Sequence, residues 1–253
     1  MTNLIPKTAL VTGATAGIGE AVSRRFSNSG MQLILVGRRT KKLESLADTL
    51  GTAAHILPLD VTDRNAVYES FKSLPKDFSE IDILVNNAGL ALGLEPSAQA
   101  NLDDWDQMVD TNIKGLIYCA RAVLPDMVSR DRGHIINIGS VAGSYPYPGG
   151  NVYGGTKAFV HQFSLNMRAD LLGTRVRVSC IEPGAVETEF LTVRFKGDSE
   201  KARNFLKGAN AMSASDVAEV IHFVATAPSN VNINLLEMMP VSQAFGPFAI
   251  SRN

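Results

Sequence analysis

The stretch N-V-Y-G-G-T-K-A-F, residues 151 to 159, sets Tyr153 and Lys157 four residues apart. On an α-helix that spacing puts both side chains on one face. A phenol and an ammonium side by side can move a proton, because the cation favours the phenolate. Free tyrosine has a pKa near 10; an ammonium about 5 Å away, at an effective dielectric near 20, favours ionisation by roughly 3 kcal/mol, or about two pKa units. Just upstream, I-G-S-V-A-G (138 to 143) offers the hydroxyl of Ser140, suited to steadying charge that develops on an oxygen. Alone, the pair fits an ordinary helix face equally well, so the surrounding elements have to decide.

Those elements alternate. Apolar, β-branched runs at 8 to 12, 33 to 37, 54 to 60, 81 to 87, 133 to 139, 176 to 181 and 232 to 238 are separated by amphipathic segments. Continuous apolar runs of this kind predict parallel strands buried on both faces and joined by right-handed crossovers. The fold expected is therefore α/β: a doubly wound, Rossmann-like parallel sheet of about seven strands with helices on both faces. No repeat, low-complexity tract or Gly/Ser linker divides the chain, so residues 1 to 253 are read as a single domain. Between 184 and 215 the alternation lapses, and so long an irregular connection is read as a substrate lid. Asn86 and Ser140 end central strands, where open α/β sheets bind ligands.

The turn after the first strand reads T-G-A-T-A-G-I-G. Gly13, Gly17 and Gly19 permit a tight turn and a close backbone approach, so that amides around Thr15 and Ile18 can meet a pyrophosphate at the helix N-terminus. At the end of the second strand, V-G-R-R-T-K-K has no acid to hold ribose hydroxyls. Arg38 and Arg39 there suit a 2′-phosphate, which selects NADP over NAD. The third strand ends in Leu59-Asp60-Val61, beside the expected adenine, although Asp60 serves equally as the N-cap of the next helix. In D-T-N-I-K-G, Asn112 is a poor interior helix residue and is expected to mark a local kink.

Composition narrows the partners. Hydrophobic residues make up 45% and charged residues 19%, with a net charge of −1 and mixed signs, which points away from nucleic acid and anionic membranes. Cys119 and Cys180 sit in apolar surroundings and are read as buried free thiols. With no leader pattern and no bilayer-length apolar span, a reducing, cytoplasmic compartment is expected. His55, His134 and His222 are scattered and no metal site emerges. His161 continues the Tyr153 and Lys157 face without an evident acid partner and is read as packed or interfacial. Trp105 is assigned to packing; Tyr145 and Tyr147 either line the pocket or pack.

Taken in order, the glycine turn, N-N-A-G (86 to 89), Asn112, Ser140, Tyr153 with Lys157, and P-G-A-V-E-T (183 to 188) resemble the short-chain dehydrogenase/reductase family over nearly the whole chain. N-N-A-G-L-A-L-G, T-E-F-L-T-V-R-F-K-G-D and V-N-I-N-L-L-E-M-M-P-V are similar to NADP-dependent 3-hydroxy acid dehydrogenases that oxidise serine and L-allo-threonine. Related sulfoacetaldehyde reductases share these stretches, and Q-A-F-G-P-F-A-I leans toward them. The resemblance implies that Tyr153 is the general acid/base, that Lys157 tunes it and holds the nicotinamide ribose, and that Ser140 hydrogen-bonds the substrate oxygen. It also implies that Asn112 carries a water link from Lys157, that Asn86 braces the glycine loop, and that Asn87, Pro183, Val186 and Thr188 meet the cofactor. The substrate is then a small anionic hydroxy acid or aldehyde, with Tyr147 in the pocket, Arg194 as its cation and Lys196 second. A homotetramer is implied as well. Competing readings are a sulfoacetaldehyde reductase, a broad aldehyde/ketone reductase, and an NADP-binding regulator without catalysis.

Overall fold

Each of the seven apolar runs becomes a strand, and the seven pair in parallel in the order β3-β2-β1-β4-β5-β6-β9. They are β1 (Thr8–Thr12), β2 (Gln32–Gly37), β3 (Ala54–Pro58), β4 (Ile83–Asn86), β5 (Gly133–Ile138), β6 (Val176–Pro183) and β9 (Leu235–Met238). The short strands β7 (Val186–Glu187) and β8 (Met212–Ser213) form a separate two-stranded sheet. The structure is a computed structural model that describes residues 7–246 and 250. The stretch behind the no-leader reading (1 to 6) and part of the Q-A-F-G-P-F-A-I ending, with the last three residues, lie outside the described residues.

Helices cover both faces, as unbroken apolar strands require. They are α1 (Gly17–Ser27), α2 (Thr40–Ala47), α3 (Arg64–Lys72), α4 (Leu102–Val109), α5 (Leu116–Ser129), α6 (Asn151–Asp170), α7 (Phe190–Arg194), α8 (Ser199–Phe205) and α9 (Ala214–Thr226). Successive strand residues point to opposite faces. Ala9 and Val11 therefore pack with Val22 and Phe26 of α1, Leu43 of α2 and Ile221 of α9. Leu10 between them packs with Val67 of α3, Val123 of α5 and Met167 of α6. Burying one such Leu, Val or Phe contributes about 1.5–3 kcal/mol, so the sheet is held from both sides. Both cysteines are free and buried, and burial pushes each thiol up to about 12, which leaves neither a nucleophile.

Three local features position the site. A π-helical turn, Asp110–Gly115, joins α4 to α5 at the place where Asn112 predicted a kink. The cap of α3 is Asp63, whose side chain accepts from the Ala66 N–H, whereas Asp60 accepts from the N–H and hydroxyl of Thr62. That removes the N-cap alternative for Asp60 and leaves it at the carboxyl edge of the sheet. The region after β6 is more regular than the sequence suggested. Residues 184 to 215 hold β7, α7, α8 and β8, with Leu191, Phe195 and Ala202 sharing a small apolar cluster. Helices of five and seven residues are too short to display a 3.6-residue period, so pattern reading missed them. No helix among the described residues is long and apolar enough to cross a membrane.

Candidate active site

In the sheet order, β1 lies between β2 and β4, so the connections leaving β1 and β4 diverge and open a crevice at their carboxyl ends. A cleft of about 440 Å³ fills it, lined by Gly13, Thr15, Gly17, Ile18, Arg38, Arg39, Asp60, Val61, Asn87, Pro183, Val186 and Thr188 at one end and Ser140, Tyr147, Tyr153, Lys157 and Arg194 at the other. All of these expected cofactor and catalytic groups stand in one cavity, whereas Gly19 and Asn112 do not line it. Asn86 too is turned away from it.

The glycine loop is built for close approach. Gly13 and Gly17 hold φ of +65° and +55°, which L side chains rarely adopt, and a Cβ on Gly19 would overlap the Gly13 carbonyl oxygen. The start of α1 has no side-chain cap, so its first amides open onto the cleft as an anion site. Asn87 braces this loop by donating from Nδ2 to the carbonyls of Thr12 (2.9 Å) and Gly13 (3.3 Å). The expectation for Asn86 is corrected here. Its Nδ2 donates to Asn137 Oδ1 at 3.0 Å and to the Leu116 carbonyl at 3.4 Å, because neighbouring residues at a strand end face opposite sides of the sheet. A Gly19→Ala variant should weaken NADP binding more than tenfold and lower the thermal midpoint, since overpacking costs about 1–3 kcal/mol; calorimetric titration and a thermal scan check both.

At the adenosine end, Arg39 donates to Thr15 Oγ1 (2.8 and 3.0 Å) and pairs with Glu189 at 2.9 Å. Lys42 pairs with the other oxygen of Glu189 at 2.8 Å, and these cations hold the Glu189 carboxyl below the usual range. Arg38 is 66% exposed and only loosely paired, 3.7 Å from Asp60. Two guanidinium groups facing an edge without a ribose-binding acid fit a 2′-phosphorylated dinucleotide. Thr188 closes the far side, with its Cβ 3.2 Å from where a Gly17 Cβ would stand.

The catalytic end is drier. Ser140, Tyr153, Lys157 and Asn112 are all buried. Ser140, just past β5, accepts from the Ala142 N–H and donates to the Pro183 carbonyl at 3.4 Å, and its hydroxyl favours the Tyr153 phenolate. Lys157 donates to the Ile138 carbonyl at 2.8 Å, with Nζ 5.8 Å from the centre of the Tyr153 ring. Asn112 accepts from the Leu90 N–H (2.9 Å) and donates to the Leu90 carbonyl (2.8 Å) and Thr156 (3.0 Å). Its amide therefore ties the loop after β4 to α6. The balance of charge also differs from the estimate based on spacing. Burial pushes the Tyr153 phenol up to about 12, opposed by the Ser140 hydrogen bond and by Arg194, and drives Lys157 down to about 8. Desolvation outweighs the pairwise attraction because it penalises both charged forms at once.

Arg194 ends α7 and is 4% exposed. It donates to the Gly93 carbonyl (3.2 Å) and to the Tyr147 hydroxyl (2.8 Å), and its guanidinium carbon lies 5.4 Å from the Tyr153 ring centre. Among the described residues it pairs with no carboxylate. Lys196, the second choice, is spent on Asp104 at 2.8 Å. Trp105 packs with Leu90 and Met108, and Tyr145 donates to Glu237 at 3.3 Å while lining the cleft. Sequence reasoning missed Phe190, tilted against the Tyr153 ring at 5.7 Å, and the Glu189 bridge; neither has a local signal. His161, read as packed or interfacial, has an acid partner that the sequence did not show: its Nδ1 lies 2.8 Å from Glu182 Oε1 on a distant strand.

Comparison with known proteins agrees with this geometry. Residues 7–198 match the sequence model of the short chain dehydrogenase family. The chain is 58% identical over 245 residues to the NADP-dependent 3-hydroxy acid dehydrogenase YdfG of Salmonella typhi, covering 96% of this chain and 99% of that protein. It is 51% identical to a serine 3-dehydrogenase of Rhizobium radiobacter, over 97% of this chain and 98% of the relative. The closed form of a serine dehydrogenase complexed with NADP+ superposes with a TM-score of 0.93 at 56% identity, covering 97% of this chain and all of the other.

Proposed function

Because the chain belongs to the short-chain dehydrogenase family, we propose that it is an NADP-dependent dehydrogenase of small 3-hydroxy acids, serine among them. One observation supports the substrate class: a buried arginine that pairs with no carboxylate among the described residues, Arg194, stands beside the Ser140, Tyr153 and Lys157 group. A buried cation left unpaired is costly, and a substrate carboxylate, accepted by its planar fork, offsets that cost. L-allo-threonine and 3-hydroxypropionate present the same acid one carbon from the reacting alcohol.

Tyr153 removes the hydroxyl proton in oxidation and returns it in reduction. Ser140 hydrogen-bonds the same substrate oxygen and steadies its developing charge, while Lys157 favours the phenolate. When bound, NADP+ accepts the hydride and NADPH donates it. The amides after β1, Arg38, Arg39, Asp60, Val61 and Asn87 would hold its adenosine and phosphates, and Lys157, Pro183, Val186 and Thr188 its nicotinamide half. Asn112 keeps α6 in register with the loop after β4 and passes a water link from Lys157 by its main chain. The segment 184 to 215 acts as a lid of the single domain, since Leu191, Val193 and Arg194 line the cleft from it.

The test is absorbance at the NADPH band with serine, L-allo-threonine, 3-hydroxypropionate, sulfoacetaldehyde and a simple aldehyde. Turnover confined to the last two would replace this reading with that of a sulfonate or broad carbonyl reductase. For the cofactor, Arg38→Ala should raise the KM for NADP about 10- to 100-fold and leave that for NAD nearly unchanged, the loss expected for a hydrogen bond to a charged group. A homotetramer in the cytoplasm accompanies the proposal. Exposed Phe159 on α6 and Phe223 on α9 give apolar faces for a neighbour, and the unpaired buried cysteines suit a reducing compartment. Sedimentation analysis decides the assembly.

A further inference from the structure

Behind Lys157 lies a second titratable group that the reaction does not touch. Glu182, near the end of β6, is fully buried. Its Oε1 receives His161 Nδ1 at 2.8 Å and the Cys180 thiol at 3.8 Å, while Oε2 has no hydrogen-bond partner among the described residues. A buried carboxyl with a free oxygen requires an explanation beyond packing, because an apolar residue of the same size would avoid its desolvation cost.

Its surroundings supply one. A Cβ on Gly139 would stand 2.9 Å from Glu182 Cγ and 3.3 Å from Oε1, so the carboxyl presses on the strand end that carries Ser140. The carbonyl just before Gly139 is that of Ile138, which holds Lys157 Nζ at 2.8 Å. His161 lies one helical turn beyond Lys157 on α6 and is partly exposed. The groups facing Glu182 are thus His161 from α6, Cys180 on its own strand and Glu237 from β9 in register with it, with Tyr145 bonded to Glu237 and Lys157 one turn before His161 on the same face of α6. Of the two anions that could favour a charged Lys157, the Cys180 thiol is held neutral by burial. The carboxylate remains.

Resting on the dehydrogenase reading, we propose that Glu182 and His161 form a positioning pair for Lys157, in which the Glu182 carboxylate favours the lysine ammonium and the His161 imidazole keeps that carboxylate ionised. Burial pushes the Glu182 pKa above the usual carboxylate value and Glu237 adds to that rise, whereas the hydrogen bond from His161 opposes both. Removing the imidazole's hydrogen bond therefore lets Glu182 take up a proton, and Lys157 loses its counter-charge.

The experiment titrates Lys157 directly, by NMR of protein carrying lysine labelled with ¹³C at Cε, the signal being assigned with Lys157→Arg. Wild type, Glu182→Gln and His161→Phe are compared; the phenylalanine keeps a ring in place but removes the Nδ1 donor to Glu182. The Lys157 midpoint should fall by about half a pH unit or more in both variants, and their double variant should fall by less than the sum. An unmoved or raised midpoint in folded protein overturns the pair, whatever happens to the thermal midpoint. Should Glu182→Gln fail to fold, His161→Phe, at a partly exposed position, decides alone. Lys157 titrates without substrate, so a failure here is separate from a failure to oxidise serine, which bears on the function itself.

Discussion

Tyr153→Phe should lower kcat/KM for serine oxidation by about three to four orders of magnitude while leaving NADP affinity within about threefold of wild type. The substitution deletes one oxygen. The ring remains, and with it the packing against Phe190 at 5.7 Å and the faces presented to Arg194 and Lys157. What disappears is the hydroxyl that stands in the cleft beside Ser140 and can exchange a proton with a substrate oxygen there. The pH dependence supplies a second check. Oxidation requires the phenolate, and burial pushes the phenol up to about 12, so wild-type oxidation should rise with pH through neutrality into the alkaline range. Reduction requires the phenol and should keep its rate at low pH. The residual activity of the variant should lose the Tyr153-dependent rise; a variant within tenfold of wild type would show that the proton moves elsewhere.

Arg194→Leu should raise KM for serine so that kcat/KM falls about 100-fold, with a simple uncharged alcohol or aldehyde changed less than about fivefold. Hydrogen bonds to a charged group contribute about 1.5–3 kcal/mol, and a bidentate pair in a dry site falls at the upper end. The leucine keeps the apolar stem against the pocket but removes the donors to the Gly93 carbonyl and Tyr147. A smaller fall in kcat should accompany it, because Arg194 also opposes the rise in the Tyr153 pKa. Arg194→Lys should recover part of the loss, since a point charge replaces the fork. Steady-state kinetics with both substrate types decide it: an unchanged KM for serine removes Arg194 from substrate binding.

The site was legible where its chemistry is local in sequence. The glycine turn is a backbone requirement written in residue types, and Tyr153 and Lys157 share a face by the helical period alone. Asn112 announced its kink by being a poor helix former, and the chain answers with a π turn. Partners across the fold were not legible. Asn86 and Asn87 are adjacent, yet only the second reaches the glycine loop, because the pleat sends one to each side of the sheet. His161 looked unpartnered since Glu182 belongs to a strand that only the parallel pairing of β5 and β6 brings under α6.

By itself, then, the sequence determined the parallel sheet, the alternation of its seven strands with helices, the glycine-rich turn after β1, the lack of an acid at the end of β2, and the shared helix face of Tyr153 and Lys157. Each depends on the period of apolar residues or on the backbone freedom of a few glycines, which neighbours along the chain set. The tertiary structure decided the rest: that Arg194 is buried beside Tyr153 while Lys196 is neutralised by Asp104, that Asn87 holds the loop, and that burial, more than the lysine, governs the tyrosine. Burial and long-range pairing are properties of the packed chain, because desolvation acts on a side chain only once distant segments have closed over it.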